Sequence, residues 1–194
     1  GSFIAVSNHI GRLDAALVYI VLDRTDIIMM VAEKYKENAF FRWLVRMVDG
    51  IYIDRFNADL NAIREIMRRL KAGGVLVMAP EGTRSPTAAL QDGKDGASYV
   101  AAKSGLPILP VGVTGTEDEL VGQRLRHFKR FKIVAHVGKT FRLPPLSAKD
   151  RETQLPQFTD EIMCQIAALL PESYRGLYAN HPRTIELLGQ MGQS

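Results

Sequence analysis

The chain predicts a single α/β domain built on a mostly parallel, mixed central sheet with helices on its faces. Three observations predict it. Runs of strand length that are apolar throughout, residues 3–6, 27–31, 75–78 and 108–113, read as strands buried on both faces, the mark of a parallel sheet. Stretches of helical periodicity alternate with them, the order expected of βαβ units. A length of 194 residues with 46% apolar side chains supplies one well-filled core and leaves no room for a second. Glycine and proline are scattered, so no stretch reads as a linker, and there is no internal repeat.

The first strand runs into the turn Ser7-Asn8-His9-Ile10-Gly11-Arg12-Leu13-Asp14. Residues 13–22, apolar at nearly every position, read as a largely buried helix, and 26–32 as the second strand. The spacing predicts a helix over 37–48, with Phe40, Phe41, Leu44, Val45 and Val48 in helical register and Asp49-Gly50 as its break. A short strand, 51–53, leads into Asp54-Arg55. A helix over 58–72 places Leu60, Ile63, Ile66, Met67 and Leu70 on one face and Arg64, Arg68, Arg69 and Lys71 on the other, and Gly73-Gly74 stops it. The strand at 75–78 feeds Pro80-Glu81-Gly82-Thr83-Arg84-Ser85-Pro86. Residues 96–103 read as a helix, 108–113 and 133–137 as strands, and 159–170 as an amphipathic helix closed by Pro171. The tail containing Tyr174-Arg175-Gly176-Leu177-Tyr178 has no assigned place.

A net charge of +4 is a modest basic bias, equally suited to an anionic membrane surface, a phosphorylated substrate or nucleic acid. No apolar run approaches the ~18 residues that span a bilayer. The single cysteine, Cys164, excludes an internal disulfide and is expected to be a buried thiol in a reducing compartment. Gly1-Ser2 reads as a cloning scar, with native residues expected ahead of it.

The chemistry gathers behind the strands. His9 at the end of the first strand and Asp14 in the first helical turn lie close enough for the carboxylate to hold one ring nitrogen and leave the other to accept a proton. A plainer arrangement, with Asp14 as a helix cap and His9 exposed, uses the same residues. Arg55 follows the third strand and Glu81-Gly82-Thr83-Arg84 the fourth. Loops beyond the carboxyl ends of the strands share one edge of an open sheet, so these clusters can form one crevice. Arginine offers a planar fork of donors for phosphate, and Gly82 lets a ligand approach the backbone. Taken singly, Arg55 also suits a surface ion pair with Asp54, worth under about 1 kcal/mol, and Thr83 an ordinary cap. Together they describe a pocket for an anionic substrate whose hydroxyl is to be deprotonated.

Four motifs then make the chain resemble the glycerolipid acyltransferase family. They are the H-x4-D box His9-Ile10-Gly11-Arg12-Leu13-Asp14 with Asn8 ahead of it, and Gly50-Ile51-Tyr52-Ile53-Asp54-Arg55. The E-G-T-R segment Glu81-Gly82-Thr83-Arg84-Ser85 and the strand Leu106-Pro107-Ile108-Leu109-Pro110-Val111 complete the set. The resemblance covers residues 3–137 and implies a fold like that of the glycerol-3-phosphate acyltransferases. It implies His9 as the base and Asp14 as its orienting acid. Arg55, Glu81, Gly82, Thr83 and Arg84 would bind the acceptor's phosphate, and Asn8 and Pro110 would shape the pocket. Lys94 and Gly96 match more loosely. The acyl donor would be acyl-CoA or acyl carrier protein, the acceptor lysophosphatidate, glycerol 3-phosphate or another lysolipid, and no further cofactor would be needed.

No G-x-S-x-G elbow is present and the four histidines lack ligand spacing, so neither an acyl-enzyme nor a metal is expected. Members usually carry an amphipathic or membrane-embedded segment before the H-x4-D box. The expected setting is therefore the cytoplasmic face of a membrane, held peripherally. Arg124, Arg126, Phe128, Lys129 and Arg130 are the expected contacts with anionic lipid, a solvated loop being the plainer use of the same residues. Nucleic acid is not an expected partner, because it leaves His9, Asp14 and the E-G-T-R segment without a role.

Overall fold

The structure is a computed structural model that describes residues 1–54 and 59–192. Its strands are β1 (Ile4–Ser7), β2 (Ile27–Ala32), β3 (Ile51–Ile53), β4 (Val75–Met78), β5 (Ile108–Thr114) and β6 (Val134–Val137), in the order β3-β2-β4-β1-β5-β6. Every neighbouring pair is parallel except β5 and β6. β1 is central, with Ile4 in register with Leu76 on one side and Ile108 on the other. The expected mixed, mostly parallel sheet is therefore present.

The helices are α1 (Asp14–Leu22), α2 (Ala39–Met47), α3 (Leu60–Lys71), α4 (Asp95–Ser104), α5 (Asp118–Arg126), α6 (Arg151–Ala168) and α7 (Pro182–Met191). The connections β1 to β2 and β2 to β3 step one way across the sheet, and those from β3 to β4 and β4 to β5 step the other way. Right-handed crossovers put α1 and α2 on one face and α3 and α4 on the opposite one. The core forms on the second face, where Ile4, Val6, Ile28, Leu76 and Ile108 meet Ile66, Leu70, Val100, Ile162 and Ile166. Each such side chain contributes about 1.5 to 3 kcal/mol when fully buried. The core cluster has no member from α1 or α2 among the described residues.

Three expectations change. α1 is not a buried helix, since Asp14 is its only buried residue; apolar composition there marks a surface that this chain leaves uncovered. α6 begins eight residues before 159, at Arg151, and runs through Pro156. The proline removes one donor to the Glu152 carbonyl near the start of the helix, a loss that packing of Leu155, Phe158, Ile162 and Ile166 outweighs. The tail forms α7, which lies along α6 with Leu187 buried, and Tyr178 closes the corner with its hydroxyl accepting from the Gly93 N–H at 3.3 Å. The helix expected over 58–72 is found as Leu60–Lys71, with Leu60 on the exposed side.

Candidate active site

β1, β4 and β5 all end on one edge, so the segments after Ser7, Met78 and Thr114 converge there. Asn8 extends the pairing of β1 by one residue with its side chain. Its amide donates to the Val113 carbonyl and its carbonyl accepts from the Val113 N–H, both at 2.8 Å, in a fully buried position. That clamp sets where His9 leaves the sheet.

The peptide of His9 is then gripped at both ends by the segment after β4. Its N–H donates to Glu81 Oε1 at 2.9 Å and its carbonyl accepts from the Ser85 N–H at 2.8 Å. Glu81 is 2% exposed, and its second oxygen accepts from the Gln91 N–H at 3.0 Å and from Gln91 Nε2 at 3.3 Å. Burial pushes its carboxyl above the usual range, and the N–H groups of Gln91 and His9 offset that only in part. Glu81 was expected at the acceptor's phosphate. Both its oxygens are occupied by protein donors, and one of these bonds holds the His9 peptide in place.

The ring of His9 meets Asp14 as the spacing implied, with Nδ1 2.8 Å from Oδ2. The same oxygen accepts from the N–H groups of Ile10 at 2.8 Å and Gly11 at 3.0 Å. Burial raises the Asp14 carboxyl, but the bonds from His9, Gly11 and Ile10, with the nearby Thr116 hydroxyl, more than offset it and hold it below the ordinary carboxylate range. Asp14 Oδ1 and Thr116 Oγ1 are buried and make no hydrogen bond of ordinary geometry. Asp14 thus stays ionised beside a ring that is about one-third exposed, and Nε2 is left to accept a proton.

Gly11 was not singled out by its sequence context, yet the turn depends on it. A Cβ there would stand 1.6 Å from the Thr116 carbonyl oxygen, so the backbone after β5 and the turn after β1 touch through a missing side chain. Gly11→Ala is expected to force these loops apart, lowering stability by about 1 to 3 kcal/mol and weakening the His9–Asp14 contact. Thermal denaturation and thioester turnover measure the two effects separately.

Gly82 takes a left-handed φ of 69°, which glycine adopts without strain, and its N–H donates to the Ala79 carbonyl at 3.0 Å. Thr83 is exposed beside it. Arg84 reaches Asp118 at the start of α5, and Asp118 also accepts from the Arg12 N–H at 2.8 Å. The guanidinium therefore lies on the site's edge and already holds a carboxylate, the kind of partner a phosphate oxygen replaces. Arg55 lies outside the described residues.

Pro110 is not brought to the site. It sits within β5 opposite Val6, three residues before His9 in register, and its carbonyl accepts from the Gly138 N–H at 2.9 Å. Parallel pairing keeps it inside the sheet. Lys94 stands at the N-cap of α4, its N–H donating to the Pro80 carbonyl at 2.8 Å, and its side chain passes Gly82. Arg124, Arg126, Phe128, Lys129 and Arg130 are all exposed, Phe128 completely. They lie in α5 and the loop leading to β6, beyond the end of β5 and so toward the same edge as His9. Gln91, Thr116 and Asp118 had no local signal, and Ser85 closed its motif without an assigned role, because each acts on a residue distant in the chain. Among the described residues no group of three or more histidine, cysteine, aspartate or glutamate side chains is arranged to hold a metal.

Residues 1–114 match the family model described as Acyltransferase. The chloroplastic 1-acyl-sn-glycerol-3-phosphate acyltransferase BAT2 of Brassica napus is 29% identical over 117 residues, 57% of this chain and 32% of that protein. The 1-acyl-sn-glycerol-3-phosphate acyltransferase of Haemophilus influenzae is 25% identical over 173 residues, 87% of this chain and 70% of that protein. The chain thus spans about a third of the plant relative's length. Among solved structures, the 1-acyl-sn-glycerophosphate (LPA) acyltransferase PlsC of Thermotoga maritima has the same fold, with a TM-score of 0.59 at 22% identity over 83% of this chain and 63% of that one.

Proposed function

The chain belongs to the acyltransferase family, and from that premise we propose that it moves a fatty acyl group from a thioester to a hydroxyl of lysophosphatidate, giving phosphatidate. The observation that carries the reading is the His9–Asp14 contact of 2.8 Å, with the peptide of His9 fixed at both ends by the Glu81–Ser85 segment. His9 Nε2 takes the proton from the acceptor hydroxyl as its oxygen attacks the thioester carbonyl. The ionised Asp14 stabilises the imidazolium that results. Collapse of the tetrahedral intermediate breaks the carbon–sulfur bond, and the thiolate leaves with the proton held on His9. Transfer is direct, and no cofactor beyond the thioester enters the scheme.

Arg84, together with Arg55 from its motif, binds the acceptor's phosphate, which takes the place of Asp118 on the Arg84 guanidinium. Arg84→Ala is expected to raise KM for the phosphorylated acceptor about ten-fold or more, the worth of a charge-assisted hydrogen bond, with little change in kcat. The same variant leaves KM for the acyl donor unaltered. The donor is acyl-CoA or acyl carrier protein, and the protein works peripherally at the cytoplasmic face of an anionic membrane.

The deciding experiment incubates the protein with acyl-CoA and separately with acyl carrier protein, against lysophosphatidate, glycerol 3-phosphate and an uncharged lysolipid, and follows thiol release. Release with lysophosphatidate alone is the expected result. Release with glycerol 3-phosphate and not lysophosphatidate moves the assignment to the earlier acylation, and hydrolysis without any acceptor removes the transferase reading.

A further inference from the structure

α1 reads Asp-Ala-Ala-Leu-Val-Tyr-Ile-Val-Leu and is apolar on every side, yet Asp14 is its only buried residue. Such a helix is ordinarily enclosed, by a core or by lipid. Ile20 is 74% exposed. Nine residues extend about 13 Å, far short of a bilayer, and among the described residues no helix is long and apolar enough to cross one.

α2 lies on the same face of the sheet and repeats the anomaly. Phe40, Trp43 and Met47 form a stripe at helical spacing and are more than half exposed, while Val45 is the helix's one buried residue. The helix is nonetheless well built, because the Asn38 side chain caps it by accepting from the N–H groups of Phe40 and Phe41. The segment that carries the stripe also holds the exposed Lys34, Lys36, Arg42 and Arg46, against Glu33, which pairs with Lys36, and Glu37. Aromatic and aliphatic side chains outward with a basic rim is the pattern of a helix lying in the headgroup region of an anionic bilayer. A second copy of the chain, docked face to face about a two-fold axis, would cover the stripe but set the basic rims against each other.

We infer that the α1–α2 face is the surface that docks on an anionic bilayer, with both helices lying in its plane and the aromatic side chains at the acyl boundary. α1 starts at Asp14, the residue bonded to His9, so docking through this face brings the mouth of the site to the interface. An acyl-tailed acceptor then presents its hydroxyl to His9 while its chain stays in the membrane. That last step rests on the acyl-transfer reading, and the docking itself does not. The basic stretch Arg124 to Arg130 becomes a flanking contact, secondary to α2.

Trp43 is the only tryptophan, so its fluorescence reports this face alone. The protein is titrated with phosphatidylcholine vesicles, with and without phosphatidylglycerol, in the absence of donor and acceptor. The expected result is a blue shift on the mixed vesicles and quenching by lipids brominated along the acyl chain. Phe40→Ser with Met47→Ser is expected to weaken co-sedimentation with the mixed vesicles about ten-fold or more, and Lys34→Glu with Arg46→Glu several-fold. All four side chains are exposed, and circular dichroism checks that the variants stay folded. No shift on anionic vesicles overturns the inference. So does a shift that grows with protein concentration and needs no lipid, which identifies a second copy as the occupant. Binding that survives the α2 variants and is lost in Phe128→Ser with Lys129→Glu also overturns it. Because no substrate is present, failure to dock and failure to transfer are separate results.

Discussion

His9→Ala is expected to lower acyl transfer by about 10²- to 10⁴-fold, the range a positioned general base supplies, while leaving the protein folded. The two parts of that expectation have different sources. The ring is about one-third exposed and belongs to no core cluster, so its removal opens no cavity. Asp14 Oδ2 loses one donor but keeps the N–H groups of Ile10 and Gly11, so the turn remains tied. What disappears is the acceptor for the hydroxyl proton. Thiol release at saturating acceptor measures the first part and thermal denaturation the second. A variant that turns over near the parent's rate would show that another group takes the proton.

Asp14→Asn is expected to cost about 10³- to 10⁴-fold in kcat, the scale known when the acid behind a catalytic imidazole is made neutral. The amide can keep its oxygen toward the three donors that converge on Oδ2, so the geometry survives in outline. The charge that stabilises a protonated ring does not. The same change also has a signature in stability. Hydrogen bonds hold the Asp14 carboxyl below its unfolded value, so its ionised form contributes stability that is present above the ordinary carboxylate pKa. That contribution is lost as pH falls through the lowered folded value. Parent and Asp14→Asn should therefore differ by about 1 to 3 kcal/mol at neutral pH and converge on acidification. Glu81 works in the opposite sense. Its carboxyl is raised by burial, so its ionisation opposes folding at neutral pH and that penalty fades as the solution is acidified. Subtracting the variant's pH profile from the parent's isolates Asp14, because Glu81 is common to both. A difference that does not shrink toward low pH would mean that Asp14 stabilises the fold by packing and not by charge.

The parallel sheet was legible because strands enclosed in the sheet interior are apolar over most of their length, as β1, β2, β4 and β5 are up to the closing Ser7 and Thr114. The His9–Asp14 contact was legible because four intervening residues in a strand-to-helix turn leave little freedom in where the two side chains meet. Periodicity also located the helices, but it could not say whether an apolar face has anything to pack on. α1 is apolar all round and α2 carries an apolar stripe as good as that of α3, yet of the three only α3 finds the core.

Sequence alone thus determined the alternation of strand and helix, the edge on which the His9 and Glu81 segments fall, and the meeting of His9 with Asp14. Tertiary structure decided the rest. It showed that Glu81 braces the His9 peptide, that Pro110 stays within the sheet, that Gly11 is required by the Thr116 carbonyl, and that one face of the sheet is sealed while the other is not. The physical reason is range. A turn, a strand or a helix is set by neighbours a few residues away, whereas these contacts join segments tens of residues apart, and which pairs meet follows from the order in which the strands are laid into the sheet.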